Sequence, residues 1–296
     1  MGRLRSDRSK AVAASLPSAA PPQAEFSDRD LAAIVRMVYE KSGITLHAGK
    51  RALVTARLQK RLRQTGLETF RDYVKLLQAD VSGDELTAML DAITTNHTSF
   101  FREPQHFTYL EQVILPALRD RSRVTPILGW SAACSTGEEP YSIALTAAQV
   151  LGEEAPRRVR LLASDISSRA IAGAGAGVYR ADRLAELPRH LVLKHFQKAI
   201  GAPPGHLQIS APVRQLIEFR RMNLLQPAPP GPPFDFIFCR NVMIYFDRAA
   251  QQRVIDTLEH RLARGGYLFV SHSEGLNALR HGLTWVAPAI YRRGLP

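Results

Sequence analysis

The chain has 296 residues, 45% of them hydrophobic, enough to bury one large core or two unequal ones. It contains no uninterrupted apolar run of membrane-spanning length, and only two cysteines, Cys134 and Cys239, which argues against a disulfide framework or a cysteine-bound metal and fits a reducing cytoplasm. A formal charge of +12 and a pI near 10.1 favour an acidic partner, whether nucleic acid, anionic membrane or acidic protein, without choosing among them.

Residues 1–25 are rich in Ala, Ser and Pro, with scattered Arg3, Arg5, Arg8 and Lys10. The apolar stretch Ala11–Leu16 is too short for a signal peptide, so a disordered tail is expected. Residues 26–95 show helical signals and no convincing strand. Ser27-Asp28 caps a helix running to Glu40, with Leu31, Ile34, Val35 and Val38 at helical spacing. A second helix, Ala48–Gln64, carries six basic residues (Lys50, Arg51, Arg57, Lys60, Arg61, Arg63) and no acid. Val54, Leu58 and Leu62 form its apolar strip, with Lys50, Arg57 and Arg61 on a neighbouring face. Further helices are predicted over Leu67–Gln78, Gly83–Thr95 and Phe107–Arg121.

After Pro126 strands and helices alternate. Strands are predicted near Ile127–Ser131, Val159–Ala163, Ile217–Arg220, Phe236–Cys239, Tyr267–Ser271 and Ala289–Arg293; helices over Pro140–Leu151, Ser167–Ala176 and Arg248–Leu262. Such alternation implies a mainly parallel α/β sheet covered on both faces, here spanning 96–296. A stretch of about 179–215 breaks the pattern, and Ala202-Pro203-Pro204-Gly205 marks a turn, so a small antiparallel β insertion is expected there.

Three strand ends carry polar groups: Ser135-Thr-Gly-Glu-Glu139, Ser164-Asp165, and Arg240-Asn241 with Tyr245. In open α/β sheets ligands bind beyond the carboxyl ends of strands, so these groups point to one crevice. The first turn holds only Gly137, so the three-glycine dinucleotide fingerprint is absent, and no Gly-Lys-Ser/Thr phosphate loop occurs. Gly173-Ala-Gly175-Ala-Gly177 follows a helical segment and reads as a helix terminus. Glu138 and Glu139 sit at a helix start, where the dipole favours carboxylates in any case. Asp165, at the second strand end, is placed either to take both ribose hydroxyls or to cap the following helix. A ribose-binding acid without a pyrophosphate loop points to an adenosine ligand such as S-adenosylmethionine.

The chain resembles the chemotaxis receptor protein-glutamate O-methyltransferase (CheR) family. The matching segments are Thr95-Asn-His-Thr-Ser-Phe-Phe-Arg-Glu103, Trp130-Ser-Ala-Ala-Cys-Ser-Thr-Gly-Glu-Glu-Pro-Tyr-Ser142, Ala163-Ser-Asp-Ile166, Met222-Asn-Leu-Leu225, Phe234–Asp247 and Ser271-His-Ser-Glu274. The resemblance implies a Rossmann-like S-adenosylmethionine-dependent methyltransferase sheet, an N-terminal all-α domain and a small β insertion used in receptor contact. It implies that Asn96, Thr98, Arg102, Glu139, Asp165, Asn223, Leu224, Arg240 and Asn241 bind the cofactor, with Arg102 and Tyr245 nearest the transferred methyl and no metal. His97 and His272 lie inside the motifs and are expected to pack or hydrogen-bond. Ala133 stands where many relatives have glycine, a departure that matters only if that position needs positive φ. Ser271, likewise, replaces a common glycine.

The implied reaction gives a glutamyl methyl ester on a chemoreceptor. A glutamate of pKa about 4.3 is already ionised at neutral pH, so no general base is expected. The basic helix (Lys50, Arg57, Lys60, Arg61) is expected to dock on glutamate-rich receptor helices. A cytoplasmic monomer is expected, without nucleic acid or membrane insertion. The alternatives are methylation of another acidic protein, a nucleic-acid methyltransferase, or a non-catalytic S-adenosylmethionine-binding module. Base amino-group methylation goes with Asn/Asp-Pro-Pro-Tyr, and Asn241-Val-Met-Ile-Tyr245 lacks the prolines.

Overall fold

The computed structural model describes residues 26–295, apart from 47, 48, 50, 95, 122, 123 and 229. The expected N-terminal tail and Lys50 therefore lie outside the described residues.

The N-terminal unit is built from four helices, α1 (Asp28–Ser42), α2 (Arg51–Thr65), α3 (Phe70–Ala79) and α4 (Asp84–Ile93). Ser27 caps α1 as expected, its hydroxyl accepting from the Asp30 amide, and Thr69 does the same for α3. Ile34, Val38, Val54, Leu58, Leu62, Phe70, Tyr73 and Met89 interlock as one apolar core. The strip Val54–Leu58–Leu62 is the buried face of α2, as its four-residue spacing dictates.

An arm of α5 (Pro104–Tyr109), one π-helical turn (Leu110–Ile114) and α6 (Leu115–Arg121) leads into the α/β unit. There the chain alternates β1 (Ile127–Ala132), α7 (Glu138–Leu151), α8 (Ala155–Arg158), β2 (Val159–Asp165) and α9 (Ser168–Ala176). After the insertion come β6 (Ile217–Arg221), β7 (Phe234–Cys239), α12 (Arg248–Arg261), β8 (Leu262–Phe269), β9 (Leu283–Ala287) and β10 (Ile290–Arg293). The seven-stranded sheet runs β6-β2-β1-β7-β8-β10-β9, parallel from β6 to β8, with β10 antiparallel to both β8 and β9. Strand β9 has no counterpart in the sequence-based expectations. Its Thr284, Trp285 and Val286 all face solvent on the sheet edge, so it lacks the apolar alternation that reveals a strand.

Strand β7 shows why the sheet is buried on both faces. Phe236 and Phe238 enter the core that holds Tyr141 and Phe269, while Ile237 and Cys239 enter the opposite core with Val254 and Leu258. Gly129 on β1 permits this packing: a Cβ there would fall 2.3 Å from the Phe236 ring. The chain reverses strand order beside β1, with β2 on one side and β7 on the other, which opens a crevice at their carboxyl ends.

The insertion is a three-stranded antiparallel sheet, β3 (Val178–Arg180), β5 (His206–Ile209) and β4 (Phe196–Lys198), carrying short helices α10 (Arg189–His195) and α11 (Ala211–Arg214). It is the antiparallel unit expected between 179 and 215. The Gly173–Gly177 run ends α9, with Gly177 left-handed at its C-cap, so it is a helix terminus rather than a phosphate loop.

Candidate functional site

One crevice, enclosing about 1230 Å³ of non-protein space partly open to solvent, lies over the switch between β1, β2 and β7. Asn96, Thr98, Arg102, Glu139, Asp165, Asn223, Leu224, Arg240, Asn241 and Tyr245 all line it. The fold thus brings together every site residue expected from the sequence.

Their side chains are not equally available. Asp165 ends β2 and is 8% exposed; its Oδ1 accepts from the Ser167 amide at 2.9 Å and its Oδ2 from the Ser135 amide at 2.8 Å. The cap of α9 is Ser167, whose hydroxyl accepts from the Ala170 amide; Asp165 ties the strand end to the two flanking turns and lines the cavity, each carboxylate oxygen keeping a second lone pair. Burial raises its pKa. Glu139 projects from the first turn of α7, takes a 2.7 Å hydrogen bond from Ser131 Oγ and pairs with Arg240 at 3.0 Å. Burial pushes its carboxyl up, opposed by Arg240 and Ser131.

Arg240 is wedged between two acids. One terminal nitrogen meets Glu139, and the other lies 3.1 Å from Glu103 and also donates to the Arg102 carbonyl. With its side chain 2% exposed, its guanidinium holds the floor of the crevice in place. Asn223 donates to the Lys41 carbonyl at 2.8 Å and accepts from the Leu225 amide at 3.0 Å, so its side chain ties the crevice to α1. Arg102 donates to the His97 carbonyl at 3.2 Å, and Glu103 bonds Ser271 and Arg240, so the two adjacent residues do not pair with each other.

The turn after β1 decides what kind of ligand fits. Ala133 and Cys134 amides both donate to the Ser164 carbonyl at 2.8 Å, Ser135 donates to Asp165, and Gly137 donates to the Cys134 carbonyl. A pyrophosphate cradle needs such amides turned toward the ligand. Here they are closed inward, and the crevice shows the carboxylates Glu139 and Asp165 instead, a lining suited to a nucleoside with a cationic tail.

Two family models divide the chain. Residues 29–94 match the CheR methyltransferase all-alpha domain, and residues 96–288 match the CheR methyltransferase SAM binding domain. The chain belongs to the CheR methyltransferase family. It is 39% identical over 270 residues to the chemotaxis protein methyltransferase of Escherichia coli (strain K12), covering 90% of this chain and 91% of that one. A chemotaxis protein methyltransferase of Klebsiella aerogenes is 40% identical over 256 residues, 86% of each chain, and one of Borreliella burgdorferi 34% over 269 residues, 89% and 94%.

In this CheR chain several contributors escaped the sequence reading. Ser42, Ile44, Leu46, Leu53, Val54, Arg57 and Ile93 of the helical unit form part of the crevice wall. The end of α1 and the α1–α2 connection also grip the loop after β7: the Thr45 amide donates to the Tyr245 carbonyl at 2.8 Å, Ile44 bridges Phe246, and Tyr39 of α1 donates to Asp247 at 2.6 Å. Glu274, 6% exposed, accepts from the amides of Asn241, Ile244 and Ser271 at 2.7, 3.2 and 3.1 Å, and so shapes the loop that carries Tyr245. The Ser271-His-Ser-Glu274 motif was its only trace in the sequence. Asn241 in that loop has φ 57°, and Phe101, Glu103, Ala133 and Ser135 are likewise left-handed; backbone strain is concentrated around the crevice.

His272 is exposed and stacks on buried His106 at 5.2 Å, while the His97 carbonyl serves Arg102. Glu103, His106 and His272 offer ligand atoms within 4.8 Å of one another. The Arg240 guanidinium at Glu103 and the α5 N-terminus both repel a cation there. Cys134 and Cys239 are buried with thiol pKa values pushed up by desolvation, which leaves them inert.

The basic helix divides in the same way. Arg61 pairs with Glu85 at 2.5 Å, and Tyr73 donates to the same acid at 2.6 Å, so Arg61 is engaged within the helical unit. Arg57 donates to the Ile93 and Thr94 carbonyls and lines the crevice. Lys60, with Arg63, stands on the exposed face. Among the described residues no helix is long and apolar enough to cross a membrane.

Proposed function

We propose that this chain methylates glutamate side chains of chemoreceptors, using S-adenosylmethionine as donor and serving sensory adaptation in the cytoplasm. The observation that supports this most is the convergence of Asp165, Glu139, Arg102 and Tyr245 in one crevice whose turn amides are closed to phosphate.

Asp165 takes the ribose hydroxyls, and Asn96, Thr98, Leu224 and Asn241 surround the nucleoside. Glu139 attracts the cationic tail, held in register by Arg240 and Ser131. Arg240 and Asn223 act through their neighbours, because their side chains are engaged inside the protein. When bound, the donor supplies a sulfonium methyl: the acceptor oxygen bonds the carbon as the carbon–sulfur pair stays on sulfur, leaving S-adenosylhomocysteine and an ester.

The acceptor carboxylate is already ionised at neutral pH, so no residue need remove a proton. Orientation carries the rate, worth up to roughly 7–11 kcal/mol in well-aligned systems. Arg102 holds the non-attacking oxygen or the donor, since a tight pair at the attacking oxygen would blunt it. Tyr245, on a loop gripped by Glu274 and the α1–α2 connection, orients the acceptor beside the methyl.

The exposed face of α2 docks on acidic receptor helices through Lys60 and Arg63, with Arg57 at the crevice mouth. Methyl-labelled donor, incubated with the protein and a receptor cytoplasmic fragment, places label in the receptor. Label in nucleic acid, or none in the receptor, contradicts this function.

A further inference from the structure

Arg183 belongs to the insertion, in the 3-10 turn Ala181–Leu184 that follows β3. Its Nη2 donates to the Thr98 carbonyl at 2.6 Å and to Glu138 Oε1 at 2.7 Å. Of those two acceptors, Thr98 belongs to the crevice lining, while Glu138 does not line it but directly precedes Glu139, which does. Thr98 is in the segment that enters from the helical unit, and Glu138 opens α7 next to Glu139.

Glu138 is a buried carboxylate, its side chain 2% exposed, with Thr136 Oγ1 donating to its other oxygen at 2.6 Å. Neighbouring contacts follow the same route. The Tyr179 hydroxyl donates to the Thr136 carbonyl at 2.7 Å, and the Tyr179 and Phe196 rings hold Phe100 edge-on, at 5.0 and 5.9 Å. The insertion therefore packs against the 96–102 segment and the turn after β1 together.

We propose that Arg183 is a positioning residue for the donor, one nitrogen of which fixes the spacing between the Thr98 wall and the Glu139 wall. The inference rests on the donor-site reading above. Removing the guanidinium frees the Thr98 carbonyl and leaves the Glu138 carboxylate buried with its Thr136 partner. The two walls then relax independently, and the donor loses a pre-set fit. Nothing in the arrangement places Arg183 at the reacting atoms, so turnover at saturating donor is preserved.

The test is isothermal titration with S-adenosylhomocysteine together with donor KM and kcat. Arg183→Ala is expected to weaken binding and raise donor KM by at least about fivefold, the lower end of ordinary coupling between sites, with kcat retained. Arg180→Ala is the control, because the Arg180–Asp182 pair is exposed on the same insertion and touches neither wall. It should bind like the parent. If the alanine variant fails to fold, Arg183→Met decides: it keeps much of the apolar stem without any donor, so weakened binding supports the role and parent-like binding overturns it. A parent that binds no S-adenosylhomocysteine overturns the donor-site reading and this inference together. A parent that binds while Arg183→Ala binds equally, or an Arg180→Ala variant that loses as much, overturns the inference alone.

Discussion

Arg240 and Glu139 face each other at 3.0 Å beneath the crevice, and the same guanidinium reaches Glu103 at 3.1 Å. One buried cation thus serves two part-buried carboxylates from two different segments. Burial works against the Glu103 charge, but Ser271 and Arg240 outweigh it and hold its pKa below the usual value. Arg240→Met should cost roughly 3 kcal/mol, the lower end for a broken buried pair, because both acids are only part-buried when they lose their partner. Arg240→Lys should recover only part, since an ammonium cannot span both. Urea unfolding measures this; a loss below about 1 kcal/mol would mean the pair does not hold the floor.

Tyr245→Phe should lower kcat more than donor affinity, if the hydroxyl orients the acceptor. Calorimetry with S-adenosylhomocysteine and initial rates at saturating donor separate the two. Collapsed donor binding with normal turnover removes the orienting role.

His106 gives a pH signature. It is fully buried, and burial, with Arg240 nearby, lowers its pKa to about 4. Unfolded, it titrates near 6.5. Between those values the unfolded chain holds a proton the folded chain does not, so stability falls as pH drops through this window. The loss is complete below about pH 4 and amounts to at most about 3 kcal/mol. His106→Leu should flatten the dependence of melting temperature on pH between these limits. An unchanged slope excludes His106 as its source.

Ala133 sits at φ 71° in the turn after β1, a left-handed conformation that strains a residue with a Cβ. A left-handed alanine costs about 1–2 kcal/mol, against roughly 0.5–1 for the extra freedom glycine brings to the unfolded chain. Ala133→Gly should therefore stabilise by about 0.5–1 kcal/mol, and Ala133→Val should destabilise. A glycine variant that melts lower than the parent refutes the strain argument.

Docking through α2 is best tested away from Arg57 and Arg61, whose side chains are engaged inside the protein. Charge reversal at Lys60 and Arg63 should slow receptor methylation and flatten its salt dependence, while donor affinity stays unchanged. Normal methylation by the double variant at low salt removes this face from the interface.

The central strands β1, β2 and β7 were legible because each is a short, largely buried apolar run ending in polar residues, as in Phe234–Cys239 before Arg240. Strand β9 was not, since Trp285 and its neighbours face water at an edge. Asp165 was legible from its place at a strand end; of its two open roles the helix cap falls to Ser167 instead, and its carboxylate lines the crevice. The partners of charged groups were illegible. Nothing in the order of residues says that Glu103 turns away from its neighbour Arg102 to meet Arg240, 137 positions on, or that Arg183 reaches Thr98 and Glu138. Those contacts depend on how the arm, sheet and insertion dock, which local spacing does not encode. The share of the crevice built by α1, α2 and their connection was hidden for the same reason.

The most direct measurement is the chemistry of the product on the receptor. After reaction with methyl-labelled donor, the modified receptor should release its label as methanol in mild alkali, and peptide mapping should place it on glutamate. Alkali-stable label, or label on lysine, arginine or a nucleobase, would contradict an ionised glutamate as the acceptor in this crevice.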